Sequence, residues 1–158
     1  MHRKRLARAA VVTAAAAGAV TAMASTPPPS AFGHARQGTF ELVSGAVLDD
    51  TRAYLMGTFS DPKRPCTQTR RIRVDASVTY LTQAGQRKRV NRSGAFTAVN
   101  CAEGGPNRGF TLSARSMGLA CPNGSWKRGN YSFVTETRDV RTKLRAVASL
   151  LWREPDGC

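Results

Sequence analysis

Two short basic runs are the densest chemistry in this chain: TRRIRV at 69–74 and QRKRVNRS at 86–93. Closely spaced Lys and Arg are what an acidic polymer needs, because each cation displaces condensed counterions from it. Side chains alternate across an extended strand. Arg71 and Arg73 therefore share a face, as do Arg87 and Arg89, while Lys88 and Arg92 lie opposite that second pair. Residues 83–85 form a link short enough for a hairpin to unite the two runs, so all six are candidate polyanion contacts. The plainer reading of the second run is a charged edge hairpin that keeps the domain soluble and monomeric.

Other chemistries are thinly provided for. The chain has two histidines. His2 belongs to the amino-terminal segment considered below, and His34 is expected alone and solvated in an irregular stretch, so a nucleophile–imidazole relay has no framework to hold it. The four cysteines, Cys66, Cys101, Cys121 and Cys158, include no Cys-x-x-Cys pair, which argues for two disulfides over a zinc site. The expected bridges are Cys66–Cys158 and Cys101–Cys121. Asp49-Asp50 suits a solvated turn better than calcium, since no Asp-x-Asp-x-Asp loop follows. Carboxylate pairs for sugar hydrolysis would have to come from Glu41, Asp75, Glu103, Glu136 and few others. GGPNRG at 104–109 lacks the strand-to-helix setting and the Lys-Ser/Thr partner of a phosphate loop. No metal or cofactor is expected.

The elements around these residues begin with a segment bound for removal. MHRKRLARAA is basic, VVTAAAAGAV is apolar, and Ala22-Met23-Ala24 offers the small-x-small exit of a cleaved signal peptide over 1–24. The apolar part is short for a membrane span, so a soluble, secreted, extracellular product is expected. The whole chain carries 24 Lys+Arg against 10 Asp+Glu, a formal +14. Four of the basic residues lie in 1–24, which leaves 20 against 10, or +10, on the 134 residues that remain. Residues 25–37, Pro- and Gly-bearing, read as a leader or linker.

From residue 38 to 158 the periodicity is two, and the segment reads as one disulfide-stapled domain. Phe40, Leu42, Ala46 and Leu48 share one parity, and so do Ala53, Leu55, Gly57 and Phe59. Ile72, Val74, Ala76, Val78 and Tyr80 do the same in the clearest strand. Three further short strands follow in AFTAVNC, GFTLSARS and NYSFVTETR. The stretch 139–152 fits a helical stripe of Val140, Leu144, Val147 and Leu151, or a strand face of Ala146, Ala148, Leu150 and Trp152. A strand agrees with its neighbours, and a carboxy-terminal helix is the alternative. The expected fold is all-β: a small two-sheet antiparallel sandwich, immunoglobulin-like in general architecture only, because Trp126 follows Cys121 by five residues and sits among turns.

These readings add up to a secreted, non-catalytic module whose partner is an acidic polysaccharide, a cell-envelope polymer or a protein. Nucleic acid is disfavoured, since Tyr54, Tyr80 and Tyr131 fall on packing parities and offer no stacking platform. The alternatives are a small protease inhibitor, presenting Lys127 or Arg128 from CPNGSWKRGN to a trypsin-like pocket, and a small secreted enzyme.

Overall fold

A computed structural model describes residues 28–100 and 108–158. The expected signal peptide, Cys101, Glu103 and most of the 104–109 turn lie outside the described residues. Eight strands run in order: β1 Ser30–Gln37, β2 Phe40–Leu48, β3 Arg52–Ser60, β4 Thr69–Leu81, β5 Arg87–Val99, β6 Arg108–Ser113, β7 Gly129–Asp139 and β8 Arg145–Glu154. They form two antiparallel sheets of order β1-β2-β3-β6 and β5-β4-β7-β8, packed face to face, with no helix among the described residues. The all-β two-sheet sandwich is therefore the fold.

The alternating pattern places the core. Leu42, Ala46, Leu48, Ala53, Leu55, Phe59, Ile72, Val74 and Val78 are buried, each on the parity expected of it. Two apolar clusters result. One gathers Leu48, Leu55, Val78 and Phe133 around Trp126, and the other gathers Phe40, Leu42, Phe59, Ile72 and Val74. A polar seam crosses the interior as well. The Ser44 hydroxyl donates to the Thr135 carbonyl at 2.7 Å, and the Thr137 hydroxyl donates to Ser44 at 3.1 Å. Gly57 faces this seam, and a methyl group there would collide with Thr137.

Residues 139–152 settle as turn and strand. Ala146, Ala148, Leu150 and Trp152 face inward on β8, while three members of the helical stripe, Val140, Val147 and Leu151, are exposed. Two readings of organisation change. The stretch 86–101, expected as two pieces, contains one continuous strand, β5, in which Gly94 leaves room for the edge-to-face pair of Phe96 and Phe110. Residues 30–37, expected within an irregular leader, form edge strand β1 through a two-residue turn with Gly38 at φ 61°. Small residues explain why no pattern announced it. Ala31, Gly33 and Ala35 face inward where β1 crosses β8 so closely that a Gly33 methyl would strike the Val147 carbonyl.

The expected disulfide pairing is corrected. Cys121 is bonded to Cys158, with Cα atoms 5.6 Å apart, and Cys66 is also disulfide-bonded. Cys66–Cys158 presumes that β4 and the last strand pair antiparallel. β7 lies between them instead, so β4 and β8 run in the same direction. Cys66 precedes the start of β4 and Cys158 follows the end of β8, which sets them at opposite ends of the sheet, about 40 Å of strand apart. Cys101–Cys121 falls with it, because Cys121 is taken by the carboxy-terminal residue.

Candidate functional site

The antiparallel register of β4 with β5 decides where the six basic candidates stand. On the solvent face of the second sheet, Arg71 and Arg73 lie beside Thr97 and Ala95, toward the start of β4. Arg89 and Arg87 lie beside Thr79 and Leu81, at its far end. Arg73 and Thr79 are six residues apart on one strand, about 20 Å. The hairpin therefore puts both pairs on one face but at opposite ends, and it does not merge them. Lys88 and Arg92 project to the other side of β5, where both remain exposed because the opposing edge strand β6 is short.

Electrostatics separates the two ends further. Across the face, Arg73, Arg138 and Arg145 form one row, and Asp75 and Glu136 form the next. Arg73 bonds the Asp75 carboxylate at 3.0 Å. Glu136 is shared by Arg138 at 2.6 Å and Arg145 at 3.4 Å. Partial burial works to raise the Asp75 carboxyl, but the Arg73 guanidinium and the Ser93 hydroxyl hold it below its ordinary value. Carboxylates on neighbouring strands repel unless cations intervene, and here they do, so Asp75 sits as an anion inside an ion-pair network. At the other end, Arg87, Lys88 and Arg89 have no acidic partner among the described residues, and neither does Arg153 on β8; Arg92, at mid-strand opposite Ala76, and Arg71, at the first end, are likewise outside the ion pairs.

Beside those cations lies a depression of about 520 Å³, floored by Thr79, Asn130 and Ser132 and walled by Leu81 and Leu151. Both leucines stand on the solvent parity, 51% and 80% exposed. Sequence reasoning missed them as a pair. The available signal was a leucine on the polar parity at the end of each of two strands.

The remaining candidates find structural roles. His34 is not alone: its Nδ1 is 3.0 Å from Glu41 Oε1, and Arg36 binds the same carboxylate at 2.9 Å. The Arg36 hydrogen bond leads in holding Glu41 below its ordinary value; burial opposes it, and His34 adds to the lowering. This trio lies on the outer face of the first sheet, where Val43 is the residue directly across from His34. Asp49 closes the β2–β3 turn, accepting from the Thr51 and Arg52 amides and the Tyr54 hydroxyl. Its oxygens are thus engaged in the turn, and no group of three metal-ligating side chains occurs among the described residues. The Lys127 backbone is pinned from both sides, its amide donating to the Leu119 carbonyl and its carbonyl accepting from the Tyr131 hydroxyl. Trp126, one residue earlier, is a core plug whose Nε1 donates to the Asp49 carbonyl at 3.1 Å.

No family model, curated protein or solved structure matches this chain.

Proposed function

We propose that this protein is an exported, non-catalytic binding module that grips an anionic ligand at the cell surface or outside it, through the far end of the β4–β5 hairpin. One observation carries the reading: the consecutive Arg87, Lys88 and Arg89 stand at the hairpin end without acid partners among the described residues, while Arg73, Arg138 and Arg145 are absorbed into ion pairs. A purely solubilising surface intersperses both signs of charge. Concentrating uncompensated cations at one hairpin end creates a local positive field that an acidic polymer can neutralise.

Titration with a sulfated polysaccharide such as heparin tests this. Binding should weaken steeply between about 50 and 200 mM salt as counterion release loses its advantage. The R87S/K88S/R89S variant should bind less tightly with a flatter salt slope and an unchanged unfolding midpoint, because exposed charges contribute little to stability. A variant that binds as the wild type does would sink the proposal.

A further inference from the structure

The depression beside the cationic edge suggests what the anionic ligand is attached to. On the outer face of the second sheet, the last cross-strand row reads Arg87, Leu81, Asn130, Arg153, and the row before it reads Arg89, Thr79, Ser132, Leu151. Leu81 and Leu151 are carried by β4 and β8, which flank β7. Two strand spacings therefore separate them, about 10 Å between backbones. The floor between them is made of short polar side chains, so the two leucines stand proud on either side of a trough. Arginines flank the trough, Arg87 and Arg89 on β5 beyond Leu81 and Arg153 beside Leu151 on β8, with three strand spacings or about 14 Å between the two backbones.

From this arrangement we infer that the hairpin end docks on an anionic lipid bilayer, with Leu81 and Leu151 entering the boundary between headgroups and acyl chains and the arginines engaging lipid phosphates. A saccharide is the poorer match. Sugar rings pack on open aromatic faces, whereas the rings nearest the trough, Tyr80, Tyr131 and Trp152, stand on the inward parity, the two tyrosines buried and the half-buried Trp152 packed against Tyr131 and Trp126. Branched aliphatic side chains offer methyl groups, which gain from acyl chains and gain little from hydroxyls. Arginine suits the border, since its stem covers apolar surface while its head stays with phosphate. Neither a cationic run nor two leucines anchors a protein alone, but paired signals do. This inference rests on the polyanion reading of the same end and adds the apolar half of the ligand.

The test is co-sedimentation of the full mature chain with phosphatidylcholine vesicles and with vesicles of equimolar phosphatidylcholine and phosphatidylglycerol, alongside heparin titration. Wild type should bind the anionic vesicles and leave the zwitterionic ones. L81S/L151S should lose about tenfold or more of the vesicle affinity, since two leucines no longer leave water, yet keep its heparin affinity, which also shows it is folded. R87S/R89S should lose both. If L81S/L151S binds anionic vesicles as well as wild type, or wild type binds heparin but no vesicle, bilayer docking is refuted and the polyanion reading stands. Failure of wild type to bind heparin or vesicles refutes both.

Discussion

Arg70 and Asp139 show how differently the arginines of one basic run behave. Arg71 and Arg73 face solvent, but Arg70 has the opposite parity and folds back over the Phe40 ring, its guanidinium carbon 4.2 Å from the ring centroid. It donates to Asp139 Oδ2 at 3.1 Å, and the same oxygen accepts from the Thr142 amide and hydroxyl. Asp139 is fully buried. Removing one member of such a pair strands the other charge, so Asp139→Ala should destabilise by about 3–5 kcal/mol. Chemical denaturation reads this directly, and adding Arg70→Met to that variant should recover part of the loss. A second residue-scale consequence concerns acid. Glu41, Asp49 and Asp75 are all held below their ordinary values in the folded state. For Asp49, burial opposes the shift, while the Thr51 and Arg52 amides and the Tyr54 hydroxyl outweigh it. Groups of this sign contribute stability above their unfolded values, near pH 4, and lose it as pH falls through the lowered folded values. Unfolding midpoints should therefore hold steady from neutrality to about pH 5 and drop progressively below pH 4. Asp49→Asn should shrink that drop.

Elements were legible wherever a strand buries large side chains on one parity. β2, β3 and β4 declare themselves through Leu42, Leu55, Phe59, Ile72 and Val78, all buried as alternation demands. β1 escaped because close approach to β8 requires Gly33 and its small neighbours, which erases the apolar alternation. The disulfides escaped for a different reason: sequence order says nothing about which strand lies between two others. With β7 inserted between β4 and β8, the ends of the β4–β5 hairpin become the informative pair. Thr69 registers with Val99, and the Asn100 amide donates to the Gln68 carbonyl at 2.7 Å, so the chain just before β4 runs beside the chain just after β5. Four cysteines with Cys121 bonded to Cys158 leave Cys66 and Cys101 for the second bridge. Non-reduced peptide mapping should join those two, and a peptide joining Cys66 to Cys158 would overturn the strand order itself.

At the scale of the molecule, the question is whether a strongly basic chain binds by its total charge or by where that charge is left uncompensated. The two basic runs could be read in the sequence, but their separation could not. It depends on cross-strand neighbours, Asp75 beside Glu136 and Arg73 beside Arg138, that only the register supplies. The same is true of Leu81 and Leu151, which belong to one trough because β7 holds β4 and β8 apart. The most direct test removes two arginines from either end of the same face. R71S/R73S and R87S/R89S lower the net charge equally, and heparin affinity of each is measured at low salt. The expected result is a marked loss for R87S/R89S and a small one for R71S/R73S, where Arg73 is already occupied by Asp75. Equal losses from the two variants would contradict it, because total charge rather than the uncompensated hairpin end would then govern binding.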